Sequence, residues 1–502
     1  MEKYKNIVFL VLLLLISGAT HVFTIMKQRP QSVHMWAMCD RGSVARNYAQ
    51  ESMNFFHPRV HSTKDGEGIT GLEFPIMNYG AAICYKLFGF SEFWYRLLMF
   101  IVYAGGLYAS YLITGFFLNK TSYRYFTVFL FSLSPVLTYY AANFIPDTAS
   151  FGFMMMAWYF FFSYFRQPSI LIILFFTICV SLAILIKLTS AIGMIIMLGI
   201  IVWSYIRKEA FAFTNFKSAR HYIFFAGLIA FGLAYGWYSY AKYLNETYRS
   251  TIFLMQPMRP ENWEAIKNIA EHISENWIRF YFPSAFYYLF LIALLFLVWK
   301  IKKANEQLLF IFLGYFFGAI AFVYLMFIQF GHHDYYIITL LPLVFFMYLL
   351  AFNILEKLTS NFKFHLFIGI GLFAFVIHGV DNNRGHQEFR MDEHCWLYDW
   401  ARYKDYQTVE PYVKELGLKS SDKAIAVLDF SPNIALYFLN LKGWSVADIE
   451  NDESIQMAMI HKPAYLVVND SSQLDRPIFK EHPPKKIGEY KSILFYKLVY
   501  PQ

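Results

Sequence analysis

Between residues 34 and 75 the chain reads HMWAMCDRGSVARNYAQESMNFFHPRVHSTKDGEGITGLEFP, a stretch dense in groups that move protons or hold ions. Asp40 and Ser43 read as the N-cap region of a helix, SVARNYAQESM. Asp40, Asn47 and Glu51 are spaced so that they share one face of a helix. A carboxylate on a short helix beside a membrane surface is placed to act as a general base; helix capping is the other reading of Asp40. His34, His57, His61, Asp65, Glu67 and Glu73 could ligate a divalent metal, but neither an HxH nor an HExxH spacing occurs, so a hydrogen-bonded loop is the simpler reading.

Further candidates sit at the ends of apolar runs. Asp147, in ANFIPDTAS, opens one run and reads as a cap or as a second acidic group. Lys187 closes another, where a lone ammonium must snorkel or meet an anion. His332, His333 and Asp334 in QFGHHDYYIITLLP could hold a lipid phosphate, with Tyr335 and Tyr336 at headgroup depth, or could form a polar turn. Arg96 and Arg279 lie at similar positions.

The elements that carry these groups belong to a membrane. Of the 502 residues, 57% are hydrophobic and only 16% charged, against about 25% charged in soluble domains. Apolar runs recur at residues 7–26, 93–117, 123–141, 147–165, 169–187, 190–206, 222–243, 285–299, 308–329, 335–352 and 364–380, about eleven spans. The first could be a signal peptide, but no small-x-small cleavage site follows it. Residues 74–89, with Asn78, Tyr79 and Lys86, read as an interfacial helix. Lys120, Arg124, Arg166, Arg207, Lys208, Lys217, Arg220, Lys300, Lys302, Lys303, Lys357 and Lys363 fall in alternate short loops, on the side of the N-terminal Lys3 and Lys5. The positive-inside bias makes that side cytoplasmic and puts the C-terminus outside the cell or inner membrane. The net charge of +8 is thereby accounted for without nucleic acid.

Two domains are expected. Residues 1–380 form the membrane domain, with a catalytic first external loop at 27–92; residues 381–502 form a small external α/β domain. In that tail AIAVLDF, AYLVVND and SILFYKLV read as strands, with helices at 408–416, 432–440 and 453–461. No glycine-rich phosphate loop follows a strand. The four cysteines are isolated and form no CxxC.

His34, Trp36, Asp40, Ser43, Ala45, Arg46, Asn47, Asn54, Phe55, Pro58, Glu73, Phe74 and Pro75, with KLFGFSEFWYRLL and GHHDYY, resemble the motifs of bacterial polytopic glycosyltransferases of the GT-C class. This group includes protein O-mannosyltransferases and lipid A aminoarabinose transferases. Ala37, Met38 and Arg41 stand where its pattern has Arg, Gln and Thr. The resemblance covers about residues 7–380. It implies a sugar donor on a polyprenyl phosphate, an acceptor that is a glycan, lipid or protein, and inverting transfer with Asp40 as the base. It also implies a cationic group for the leaving phosphate, for which His332, His333, Arg279 and Lys187 are candidates in that order. A transporter or flippase of lipid-linked saccharides is the competing reading. It would show two related halves and polar groups at mid-membrane, whereas here the polar groups gather at the ends of the runs.

Overall fold

A computed structural model describes residues 2–63, 66–206, 216–253, 257–392, 395, 403–427, 429, 431–446 and 453–500. Asp65, Arg207 and Lys208, singled out above, lie outside them. The chain divides into two compact units.

The first unit comprises residues 1–26, 96–237 and 256–388 and is helical. Among the described residues, seven helices of the chain are long and apolar enough to cross a membrane: Glu92–Thr114, Leu188–Ile206, Arg220–Thr247, Ser284–Lys303, Glu306–Leu325, Asp334–Leu358 and Phe362–Met391. Tyr4–Ala19 and Ile170–Ile186 are apolar but shorter. Whole faces of these helices expose leucine, isoleucine, valine and phenylalanine; in Ser284–Lys303 only 17% of the apolar window is buried. Surface of that kind is stable only against hydrocarbon, so this is a multi-pass membrane protein.

The expected spans differ in detail. Residues 123–141 form two helices, Thr121–Ser132 and Pro135–Tyr140. Pro135 lacks the N–H that would continue the ladder, and the Ser134 hydroxyl instead caps the second helix by accepting from Leu137 N at 3.3 Å. The first run breaks at His21, whose backbone is left-handed (φ 59°). The GHHDYY segment closes the short helix Phe327–His332 and forms the 3-10 turn Asp334–Leu340, which leads into Leu341–Leu358. The helices Glu92–Thr114 and Asp147–Arg166 approach at glycines: a Cβ on Gly152 would lie 2.5 Å from the Val102 carbonyl oxygen.

The second unit comprises residues 27–95, 238–255 and 389–502. Its sheet holds β1 (Lys423–Val427), β2 (Lys442–Val446), β3 (Tyr465–Val468), β4 (Lys485–Tyr490) and β5 (Ile493–Lys497), in the order β2-β1-β3-β5-β4. β1 runs parallel to β2 and β3; β5 is antiparallel to β3 and β4. Strand alternation sorts the cores. Ala424, Ala426 and Val467 face a cluster with Tyr437, Phe438 and Met35, while Ile425, Val427 and Leu466 face one with Ile455 and Phe479. Three strands were expected. β2 was missed because KGWSV is short and contains a glycine, and β4 because KKIGEY is a charged edge strand. Leu428 and Phe430 of the expected first strand lie outside the described residues.

The loop residues 27–95 form the helices Met35–Gln50 and Ile76–Phe88. The first of these begins eight residues before the expected start at Ser43. Its N-cap is His34, left-handed at φ 58° and without a side-chain cap. Met35, Ala37, Met38 and Cys39 are buried, and their packing carries the helix past the capping signal read around Asp40 and Ser43.

Candidate functional site

Because the helix starts at Met35, Asp40 lies in its interior and caps nothing. Its side chain is 1% exposed. The Asn433 amide donates to Asp40 Oδ1 at 2.7 Å, and Asn433 Oδ1 accepts the Ser62 N–H at 2.8 Å. Burial pushes the Asp40 carboxyl up to about 7, against the opposing pull of the Asn433 hydrogen bond and Arg41. Asp429 follows the same logic at about 6: burial raises it, although Ala435 N, Ser431 N, Tyr403 and Ser445 all donate to it.

Around Asp40 the other loop residues are committed to partners. The Ser43 hydroxyl accepts the His61 backbone N–H at 2.7 Å and donates to His61 Nδ1, which leaves His61 Nε2 to donate toward Asn440 Oδ1 at 3.5 Å. Burial, with Lys442 and Arg46 adding to it, holds His61 well below its ordinary pKa and therefore neutral. Arg46, buried, bonds Glu410 at 2.6 Å and lies 4.0 Å over the Phe90 ring. Burial would raise Glu410, yet Arg46, Lys414 and Arg29 hold it below the usual range. Asn47 donates to the Arg59 carbonyl at 3.0 Å, so it and Asp40 are not joined. Arg41 pairs with Glu73 at 2.7 Å. His34 meets Trp36 edge-on at 6.2 Å.

Of the six residues considered for a metal, four of the described ones have other partners. His61 goes to Ser43, Glu73 to Arg41, His57 to Asn54 at 2.8 Å and Glu67 to Arg59 at 3.3 Å. Among the described residues no three His, Cys, Asp or Glu side chains could hold a metal together.

The first unit holds a separate constellation. Asp147 is the first residue of the helix Asp147–Arg166; Pro146 is the N-cap, and Asp147 makes no capping bond. It is 3% exposed. Lys187 Nζ stands 2.9 Å from Asp147 Oδ1, 4.2 Å over the Tyr336 ring and 5.7 Å from that of Tyr335. The lone lysine therefore meets an anion of its own chain. The His333 ring stacks on Tyr335 at 5.1 Å and on Tyr336 at 5.5 Å, and Tyr140 donates to the buried Asp334 at 2.8 Å. His332 and Arg279 are exposed; Arg279 lies over Phe280 at 5.2 Å. Lys187, last in the expected order for the phosphate, is the one of these four that forms an ion pair with Asp147 among the described residues. Nothing in the sequence marked Asn433 or Asp429, which lie far along the chain from Asp40.

The described residues thus combine a set of apolar helices with a small C-terminal sheet. Residues 73–236 match the model of a family described as dolichyl-phosphate-mannose-protein mannosyltransferase. ArnT from Cupriavidus metallidurans in the apo state has a similar structure, with a TM-score of 0.58 at 12% identity over 99% of both chains. The same protein bound to undecaprenyl phosphate gives 0.56 at 14%, over 98% of this chain and 99% of that one. The Archaeoglobus fulgidus oligosaccharyltransferase in complex with Zn and sulfate gives 0.55 at 12%, over 92% of this chain and 67% of the other. No curated protein matches by sequence. The resemblance to GT-C transferases read from the loop motifs is borne out by the family match and the fold.

Proposed function

We propose that this protein transfers a sugar from a polyprenyl-phosphate carrier to an acceptor at the external face of the cell membrane. The observation that carries the reading is Lys187, an ammonium group seated on two tyrosine rings beside a buried carboxylate, in a fold shared with a protein solved with undecaprenyl phosphate bound. The mannosyltransferase family match supports the same class of donor.

The roles follow from charge. A sugar leaves its carrier when the bond from the anomeric carbon to the phosphate oxygen breaks, and negative charge then grows on that oxygen. Lys187 stabilises it, with His333 as a further donor. Asp147 holds the ammonium in place. The acceptor attacks from the face opposite the phosphate, which inverts the anomeric centre, and gives up its proton. Asp40 takes that proton, the acceptor group replacing the Asn433 amide as its hydrogen-bond donor; a carboxyl titrating at about 7 is matched to this task near neutrality. His34, Trp36, Arg46, Asn47 and Glu73 position the helix of Asp40 and its surroundings. Residues 27–92 and the tail from 381 onward form the external part, and the N-terminus is cytoplasmic.

The test is the lipid profile of a deletion strain. It should accumulate a polyprenyl-phosphate sugar, and purified protein in detergent should transfer the sugar from that lipid. Transfer in detergent, where no sides exist, separates this reading from transport. An unchanged profile together with no transfer rejects it.

A further inference from the structure

Lys187 is an extended residue between two helical segments. It closes the helix Ile170–Ile186 at φ −145° and ψ 109°, and the 3-10 turn Leu188–Ser190 follows at once. At such a junction the helical ladder stops, so the backbone that carries the ammonium is held by few bonds of its own. The Lys187 N–H donates to the Ala183 carbonyl at 3.0 Å, and the Lys187 carbonyl accepts from Ser190 N at 2.9 Å.

Ser150 ties both of those partners together. It lies on the helix Asp147–Arg166, three residues after Asp147 and on the same face, and is 1% exposed. Its hydroxyl donates to the Ala183 carbonyl at 2.7 Å. A hydroxyl has one proton, so the Ser190 hydroxyl, 2.6 Å away, is the donor to Ser150 Oγ. Groups on either side of Lys187 are thereby fastened to one oxygen atom. A second tie comes from Thr189, whose hydroxyl meets that of Thr339 at 3.2 Å. Thr339 belongs to the turn Asp334–Leu340, which also carries Tyr335 and Tyr336. The helix of Asp147 and the turn of the two tyrosines hold the ammonium, and through Ser150 and Thr339 the same two elements hold the backbone that bears it.

We propose that Ser150 is a positioning residue for Lys187: its hydroxyl clamps the bend between residues 183 and 190, so that the ammonium is in place before the phosphate of the polyprenyl carrier arrives. The inference rests on the reading in which Lys187 holds that phosphate. A lysine that is already placed loses less conformational freedom on binding, and the clamp contributes no more than the bonds that make it.

The experiment measures the dissociation constant and the stoichiometry of undecaprenyl phosphate binding to the full-length protein in detergent. Ser150→Ala should raise the dissociation constant about fivefold, the scale of one hydrogen bond between neutral groups, at unchanged stoichiometry. The variant should fold, because the Ala183 carbonyl keeps the Lys187 N–H. Thr189→Val cuts the other tie and should act in the same direction. Ser110→Ala is the control. Ser110 is also buried and donates to the Gly106 carbonyl at 2.8 Å within the helix Glu92–Thr114, so its loss should leave the affinity unchanged. In the double variant Lys187→Met with Asp147→Asn no ammonium remains to be placed, and adding Ser150→Ala there should cost no further affinity. Wild-type affinity in both Ser150→Ala and Thr189→Val overturns the proposal. So does a fivefold loss that persists in the double variant, or a lower stoichiometry at an unchanged dissociation constant, either of which marks a structural role. A double variant that binds as tightly as the wild type, or a wild type that binds nothing, overturns the reading of Lys187 on which the inference rests.

Discussion

Asp40 links stability to pH, and on the proposed role it links activity to pH as well. Its carboxyl titrates at about 7 in the fold and at 3.8 ordinarily. Between those values the native chain holds a proton that the unfolded chain has lost. Stability therefore falls as pH rises through that window and is level above it. Asp429, raised to about 6, acts in the same direction. Asp40→Asn removes the buried charge, so its melting temperature in detergent should equal or exceed that of the wild type at pH 8, with the gap closing near pH 5. Transfer by the same variant should drop about 10²–10⁴-fold, the usual size of a general-base contribution. Wild-type kcat/KM should rise with pH through about 7 as Asp40 ionises. Full activity in Asp40→Asn would return that residue to a structural role. The pair Asp147–Lys187 behaves differently. Lys187→Ala strands a buried carboxylate, at a cost of about 3–5 kcal/mol. Lys187→Met with Asp147→Asn should recover most of that stability while binding of undecaprenyl phosphate stays weak. Recovered binding in the double variant would show that Lys187 does not hold the phosphate.

Secondary-structure elements fix where these groups stand. β2 illustrates the constraint. Gly443 has φ 139°, and a Cβ on it would lie 1.9 Å from the Ala424 carbonyl oxygen. Gly443 also exchanges backbone bonds with residues 61–63: its oxygen accepts from Thr63 N at 2.8 Å, and its N–H donates to the His61 carbonyl at 3.1 Å. Any side chain must displace either β1 or this bridge. Gly443→Ala should cost several kcal/mol, on the order of other strained backbone substitutions, and should open residues 59–63 to protease before the membrane helices unfold. Limited proteolysis with mass mapping reads this directly; cleavage unchanged from wild type would mean that β1 absorbs the strain.

For the molecule as a whole the expectation is an inside N-terminus and an outside tail. It derives from the lysines and arginines gathered in alternate short loops. Ser421 is exposed in the turn before β1. A Ser421→Cys chain should react with a membrane-impermeant maleimide in cells whose inner membrane is intact. Reaction only after that membrane is ruptured would reverse the topology and with it the external site.

Much of this architecture was legible in the order of residues. Hydropathy marks the apolar helices because crossing hydrocarbon demands a continuous run of some 20 residues, and the cores of β1, β3 and β5 announce themselves by short β-branched and aromatic runs. Loop motifs also pointed to the transferase fold. Local signals failed where distant packing decided the outcome. The Met35–Gln50 helix extends upstream of its apparent cap because its first turns are buried, and β2 forms because β1 and residues 61–63 supply hydrogen-bond partners on both sides. The pairing of Asp40 with Asn433, of Asp147 with Lys187 and of Trp158 with Tyr315 was equally invisible. Periodicity records what neighbouring residues need from solvent or lipid. Which buried polar group meets which depends on how distant segments pack, and only the tertiary structure sets the burial that brings Asp40 to a neutral titration point.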